Sequence, residues 1–119
     1  METVNLSEKF SQFSDYFRPR IIGDLNDTHV KAVKLKGEFV FHHHDKEDEL
    51  FLVVKGTLRM KFRDREAVIG PGEFVIVPRG VEHCPVADEE VHLILIEPKS
   101  TLNTGNITNE RTVAQLERI

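Results

Sequence analysis

Three histidines and one glutamate, in two separate blocks of the chain, are of the types that bind metals. His42, His44 and Glu49 lie in the first block and His83 lies in the second. Residues two apart on a strand point to the same face, so His42 and His44 would share a face while His43 points away. Imidazole and carboxylate suit divalent first-row metals, and four protein donors in an octahedral shell leave two positions for water or substrate. The pattern therefore predicts a metal site built on β-structure.

Short strands separated by frequent turns must position these donors. The spacing of Phe10, Phe13 and Phe17 predicts a short amphipathic helix within residues 7–17, and residues 109–119 resemble a short capped helix or a frayed tail. Lys55-Gly56 predicts a two-residue hairpin turn. Many short strands and little helix favour an antiparallel sandwich or barrel. The predicted strands cover residues 18–25, 29–36, 39–44, 50–54, 57–62, 67–69, 74–77 and 91–96, with His83 at the start of another.

Size and charge disfavour several classes of protein. The 119 residues predict one domain, spanning 1–119. There are 16 Lys and Arg against 20 Asp and Glu, a net charge of −4, and the basic residues are scattered, which argues against nucleic-acid binding. No signal-peptide pattern or long apolar span is visible, and one cysteine excludes an intrachain disulfide framework. We therefore expect a cytoplasmic protein with neither a nucleic-acid nor a membrane partner.

Two strands are apolar on both faces. Residues 50–54 and 74–77 contain no polar side chain. A half-solvated strand does not need two apolar faces, so the outward side chains require a cover. The N-terminal segment or a second subunit would supply it, and we expect a homodimer.

The two blocks resemble the paired motifs of the cupin superfamily. Residues 37–87 match closely and the flanking strands loosely, and the fifteen residues 57–71 between the blocks are similar to the spacing in small microbial cupins. Two departures stand out: four residues rather than five follow Gly37, and Ala87 occupies the place of an asparagine. The matching positions are Gly37, His42, His44, Glu49 and Gly56 in the first motif and Gly72, Pro78, Gly80 and His83 in the second.

This resemblance implies a fold and a ligand set. The fold is an all-β double-stranded β-helix, or jelly-roll cupin barrel, with short helical segments at the termini. His42, His44, Glu49 and His83 would hold one divalent transition metal in its mouth: Fe, Mn, Ni, Zn, Cu or Co. The chain looks like a small monocupin of the mannose-6-phosphate isomerase-like type, a label that describes kinship and not the reaction. Many members form dimers.

Several neighbouring residues have competing interpretations. Asp45, Glu47 and Asp48 form either a solvated loop, which we favour, or a negative entrance that disfavours polyanions. Glu47 is the alternative ligand if the register of this segment slips. Of the isolated histidines, His92 is a better candidate than His29 for a role in the pocket.

Apolar positions near the ligands have predicted places as well. Cys84 should be a buried thiol that faces away from the metal. Phe39 and Phe41 should lie on the face opposite the ligands, in core or dimer packing. The candidate cavity wall is formed by Val40, Phe51, Val53, Met60 and Phe62.

Three functions fit these features. The first is a metal-dependent enzyme: a dioxygenase acting on a diketone, enol or small aromatic diol, or an isomerase that enolises a sugar-like carbonyl compound. No general base is evident in the sequence, so the catalytic residues are unassigned. The second is a non-catalytic module that binds a small carbohydrate or metabolite. The third is a jelly roll that has lost its metal.

Overall fold

The computed structural model describes all residues, 1–119, and consists almost entirely of β-strands. The single helix, α1 (Leu6–Phe10), begins after Asn5, whose side-chain oxygen accepts a hydrogen bond from the Glu8 amide at 2.9 Å. No helix has the length and apolar character needed to cross a membrane. The strands are β1 (Arg20–Leu25), β2 (Thr28–Glu38), β3 (Glu49–Lys55), β4 (Leu58–Phe62), β5 (Glu66–Ile69), β6 (Phe74–Val77), β7 (His83–Pro98) and β8 (Glu117–Arg118).

The long strand β7 joins the two layers of the fold. Its first residues pair with β4 and its last residues pair with β3, while β2 runs antiparallel to it from Thr28 opposite Pro98 to Glu38 opposite Val86. From β7 the sheet continues through β4 to β5 on one side and through β2 to β1 and β8 on the other. β3, which also pairs with β7, pairs with β6. The sheet does not close on itself. This arrangement confirms the predicted all-β jelly roll.

Two predicted connections differ from the structure. Lys55-Gly56 is not a hairpin turn, because β3 and β4 do not pair with each other. The turn instead connects β3, which pairs with β6, to β4, which pairs with β5. Gly56 has a φ of +85°, and a Cβ there would lie 2.6 Å from the Glu90 carbonyl oxygen, so glycine is required. Residues 109–119 form turns and the short strand β8, parallel to β1, instead of a helix.

The segment that carries the first two histidines is extended but is not a regular strand. It lies between the end of β2 at Glu38 and the start of β3 at Glu49. A single bridge holds it: the His42 amide donates to the His83 carbonyl at 3.1 Å, and the His83 amide donates to the His42 carbonyl at 2.9 Å. The predicted strand 39–44 is therefore reduced to one paired residue.

Apolar side chains fill the interior and part of the exterior. Alternate residues of β2, β3, β4 and β7 point inward and form the main core, including Val33, Val53, Met60 and Leu93. On the outside, Phe10 of α1 packs against Ala32 and Ile94, and Leu52 of β3 lies against the same cluster, so the N-terminal segment covers part of the outer face of residues 50–54 but not of residues 74–77. On β6, Phe74 and Ile76 remain 59% and 53% exposed.

Candidate metal centre

The fold brings the four predicted donors together. Glu49 and His83 are the first residues of β3 and β7, and His42 and His44 reach them from the extended segment. All four side chains are buried, and their ligand atoms lie within 4.8 Å of one another. Two ligands of one ion, each bound at 2.0–2.2 Å, lie at most about 4.4 Å apart, so small movements suffice to close the cluster around a metal.

Backbone carbonyls orient two of the imidazoles. His42 Nδ1 lies 2.9 Å from the Val40 carbonyl oxygen, and His83 Nδ1 lies 2.9 Å from the Val81 carbonyl oxygen. A proton on each Nδ1 satisfies these contacts and leaves Nε2 with a free lone pair. His83 Nε2 lies 3.0 Å from Glu49 Oε1, inside the cluster. Both rings therefore present Nε2 as the ligand atom.

The buried Nε2 atom of His44 indicates that the donor set fits a cation. Its Nε2 lies 2.9 Å from Glu49 Oε1, yet the orientation is poor for a hydrogen bond, and this buried nitrogen has no hydrogen-bond partner. A buried polar atom without a partner is costly. A divalent metal between the imidazoles and the carboxylate would satisfy that nitrogen, so the donor set fits such an ion.

The electrostatics keep the donors in ligand-competent states. Burial by itself opposes ionisation of Glu49, but the contacts with His44 and His83 outweigh it and lower the pKa of that carboxyl to about 2. Burial, together with the neighbouring His83, lowers the pKa of His42 to about 4. At neutral pH the site therefore holds a carboxylate and a neutral His42, the forms that bind metals.

A small cavity of about 40 Å³ adjoins the cluster. Apolar walls with a few polar groups are typical of small-molecule sites. The lining residues are Phe17, Pro19, Val33, Leu35, Phe39, His42, Glu49, Phe51, Pro85, Leu93, Leu95, Glu97 and Asn103.

Most of the predicted cavity wall lies elsewhere. Only Phe51 of that set lines the cavity; Val53 and Met60 are packed in the core, and Val40 and Phe62 lie outside the lining.

Phe39, expected on the opposite face, lines the cavity and stacks on Phe17 with ring centroids 5.2 Å apart. Strand parity failed here because residues 39–41 are not in a regular strand. Phe41 lies under the guanidinium of Arg63, at 4.0 Å, and takes no part in the lining.

Glu97 is a cavity residue that the sequence analysis missed. It is buried and lies 3.6 Å, Oε2 to Nζ, from the equally buried Lys31. Burial, and then the negative charge of Glu49, raises the pKa of Glu97 well above its usual range. A signal was present: Lys31 has the same strand parity as the inward-facing Val33, and Glu97 the same parity as Leu93.

The C-terminal segment braces the ligand segment, which sequence patterns did not indicate. The Asn106 amide donates to the His43 carbonyl at 3.1 Å, and the His43 amide donates to Asn106 Oδ1 at 2.9 Å. Gly105 has a φ of +57°, and a Cβ there would lie 2.2 Å from the same carbonyl oxygen. Residues 103–106 therefore press closely against the backbone that carries His42 and His44.

The remaining histidines lie outside the cluster. His43 points outward as expected, with Nε2 3.0 Å from Asp45 Oδ1. His92 stacks on Phe10 on the outer face, so its proposed role in the pocket is wrong. His29 lies beside Asp24, with Nε2 3.6 Å from Oδ1, and does not line the cavity.

The acidic loop does not line the apolar cavity, but Asp45 and Glu47 line a second pocket together with His44, so both predicted roles, a solvated loop and a negative entrance, stand. None of Asp45, Glu47 and Asp48 lines the cavity. Glu47 accepts a hydrogen bond from the Ser100 hydroxyl at 2.7 Å, and Asp48 accepts one from the Arg79 amide at 2.8 Å. Glu49, and not Glu47, is the carboxylate of the cluster.

Cys84 is buried, as expected. Its Sγ lies 3.9 Å from Glu38 Oε1 and outside the donor cluster. Burial raises the pKa of this thiol, so it stays protonated at neutral pH.

Known proteins share this fold and its sequence. Residues 31–97 match the family described as Cupin domain. A cupin-2 domain containing protein from Shewanella frigidimarina NCIMB 400 is 44% identical, with a TM-score of 0.81 over 82% of this chain and 95% of that protein. Protein NMB1881 from Neisseria meningitidis is 31% identical, with a TM-score of 0.76 over 82% of this chain and all of that protein.

A further relative shares part of the sequence. The protein YdbB of Bacillus subtilis (strain 168) is 35% identical over 79 residues, which are 66% of this chain and 64% of that protein. The matched region thus spans somewhat less than two thirds of the Bacillus protein. Because the family match covers more than half of the chain and carries all four donors, the chain belongs to the cupin superfamily.

Proposed function

We propose that this cupin is a metal-dependent enzyme acting on a small oxygen-bearing molecule. The observation that carries the proposal is the cluster of four buried donors opening on a small, mostly apolar cavity. A bound divalent metal would supply Lewis-acid chemistry or, if it is iron, oxygen chemistry of the dioxygenase type.

The chain's own residues would share the remaining work. His42, His44, Glu49 and His83 would hold the metal, and the carbonyl contacts at Nδ1 fix the orientation of two of the rings. The apolar walls keep water out of the cavity, which strengthens every polar contact inside it. Glu97 is the only other carboxyl in the cavity wall, so we propose it as the group that takes a proton from the substrate or returns one to it.

The number of donors bears on the substrate. A metal held by the four protein donors would leave two coordination positions for a substrate. A diketone or enolate would occupy both positions through its two oxygens, so we propose this class first.

One observation favours a second function, a non-catalytic module that binds a metabolite. Glu97 is paired with the buried Lys31. Burial favours the protonated form of Glu97 even beside Lys31, and a protonated carboxyl does not take a proton from a substrate. In that case the site would bind a small ligand without turning it over.

The first experiment is elemental analysis of protein purified without chelators, together with the variants His42→Ala and His83→Ala. About one metal per chain is expected in the wild type and almost none in either variant. His43→Ala is the matched control, because His43 lies beside the ligands but points outward. Equal metal content in the wild type and His83→Ala would overturn metal binding at this site.

Turnover is tested separately on the metal-loaded protein. Oxygen consumption and product formation are measured across open-chain diketones, enols, small aromatic diols and sugars. Enzyme function predicts turnover of an open-chain member and a large loss in Glu97→Gln at unchanged metal content. Ligand-induced thermal stabilisation without turnover would favour the binding module instead.

We also propose that the chain forms a homodimer through the β6 edge. β6 pairs only with β3, and Phe74 and Ile76 on it are exposed. A free strand edge that carries apolar side chains invites pairing with a second copy. Light scattering should give a dimer for the wild type and a monomer for Ile76→Lys, whereas Val68→Lys, at another exposed apolar position, should remain dimeric. A monomeric wild type would overturn this assembly.

A further inference from the structure

Arg111 stacks against two aromatic rings that line the cavity beside the metal cluster. Its guanidinium carbon is 4.3 Å from the ring centroid of Phe17 and 5.8 Å from that of Phe39. Both rings line the cavity, and they stack on each other. The guanidinium therefore sits against two aromatic residues of the cavity wall.

The backbone around Arg111 is held in place by side chains of the same segment. The Asn103 side chain, which also lines the cavity, donates to the Arg111 carbonyl at 2.8 Å and accepts from the Val113 amide at 2.9 Å. The hydroxyls of Thr104 and Thr112 lie 2.7 Å apart. The position of Arg111 is thus determined by local structure rather than by chance contacts at the surface.

Arg111 has no carboxylate partner. Its guanidinium donates to the Glu38 carbonyl oxygen, and most of its five N–H donors remain unused. Arg65 also lacks a carboxylate, but it stacks on Phe62, outside the cavity. The other arginines form ion pairs: Arg18 and Arg20 with Asp15, Arg59 with Glu66 and Asp88, Arg63 with Glu82, Arg79 with Asp48, and Arg118 with Asp24.

The Phe39 ring lies near both the Arg111 guanidinium and the metal cluster. The Phe39 ring centroid lies 5.4 Å from that of His42, so one phenyl ring separates the guanidinium from a ligand imidazole. Glu49 supplies one negative charge against a divalent cation, and the pair formed by Lys31 and Glu97 adds no net negative charge. With Arg111 added, the loaded site carries two uncompensated positive charges, which favours a dianionic ligand.

We infer that Arg111 determines specificity by binding the carboxylate of an open-chain oxo acid whose chelating oxygens lie at its other end. A guanidinium matches a carboxylate with two parallel hydrogen bonds. A 1,3-diketone bound as its enolate carries one negative charge and the distal carboxylate a second, which together match the two positive charges. The inference rests on the proposed function, because it names the substrate class of the same site.

The test compares two probes that differ in one group. 4,6-Dioxoheptanoate has a diketone at one end and a carboxylate at the other, and 2,4-heptanedione has a methyl group in place of that carboxylate. Calorimetry on metal-loaded wild type should show the acid binding about tenfold or more tightly than the neutral diketone. In Arg111→Met the preference should disappear through weaker binding of the acid alone, while Arg111→Lys should retain part of it. Arg65→Met is the matched control and should behave as the wild type.

Metal content and thermal unfolding are measured on every variant. Arg111→Met with full metal, an unchanged affinity for the diketone and a lost preference for the acid would support the inference. A wild type that binds both probes equally, or binds neither while holding metal, would overturn the inference and leave metal binding standing. A wild type that holds no metal after loading would overturn the proposed function and this inference together.

Discussion

Two sets of buried polar side chains lie inside this barrel, and they are neutralised in different ways. Lys31 and Glu97 are 2% and 3% exposed and form an internal ion pair. The donor cluster is equally buried, but it joins one carboxylate to three imidazoles and leaves His44 Nε2 without a partner. Burial alone therefore does not identify a metal site. What distinguishes the cluster is a negative charge and lone pairs that no internal cation balances.

The two sets also depend on different parts of the backbone. Lys31 and Glu97 lie on regular strands, where the pairing of His29 with Glu97 and of Lys31 with Leu95 makes them neighbours. His42 and His44 lie on an irregular segment that one bridge and the C-terminal segment hold in place. Strand register is thus enough to place the ion pair, whereas the metal cluster also needs contacts between distant segments.

The largest expected effect comes from breaking the ion pair. Lys31→Met leaves a buried carboxyl without its cation and should cost about 3–5 kcal/mol of unfolding free energy at pH 8. The loss should be smaller at pH 5. Glu97 has a raised pKa, so the folded chain resists ionisation of Glu97 while the unfolded chain ionises it above pH 4.5.

Urea unfolding at the two pH values measures this difference. The double variant Lys31→Met/Glu97→Leu should recover most of the loss, because it removes the carboxyl as well. Single and double variants of equal stability would show that the pair has no electrostatic role.

The next effect is the pH dependence of the metal-free protein. The pKa of His42 is about 4 in the folded state and 6.5 in the unfolded chain. The contribution of neutral His42 to the unfolding free energy, up to about 3 kcal/mol, is therefore fully present above pH 6.5 and is lost as the pH falls to 4. Urea unfolding in the presence of a chelator measures the slope, and His42→Gln should flatten it. An equally steep slope in that variant would assign the effect to another group.

A smaller gain is expected from metal binding. A metal at a hundred times its dissociation constant should stabilise the wild type by about 2.7 kcal/mol, because only the folded state assembles the site. Chemical unfolding with and without added manganese or zinc measures this gain. His83→Ala should show none of it. A similar gain in that variant would mean that the metal binds elsewhere.

The smallest effect is expected for His43→Ala. Its ring lies outside the cluster, against Asp45 at the surface. The unfolding free energy should change by no more than about 0.5 kcal/mol, and the metal content should stay the same. Loss of metal in this variant would show that the outward orientation of His43 does not persist in solution.

Strand alternation and motif spacing were sufficient where the chain is regular. Leu58 and Met60 are fully buried, as their alternation with Arg59 and Lys61 predicts. Strand alternation gave the wrong face for Phe39, because the strand ends before that residue. Turn composition gave the wrong connection at Lys55-Gly56, because the turn joins strands that do not pair. A turn's composition describes its backbone angles and does not specify which strands become neighbours.

The sequence by itself indicated the all-β fold, the two motifs and the candidate donors His42, His44, Glu49 and His83, because residue types and their spacing are local properties. Only the tertiary structure decided that Glu97 lies beside Glu49 in the cavity and that Arg111 stacks on two aromatic rings of the cavity wall. Glu97 is 48 residues from Glu49, and Arg111 is 72 residues from Phe39. No local pattern encodes such distances, since they arise when strands from separate parts of the chain pack against each other.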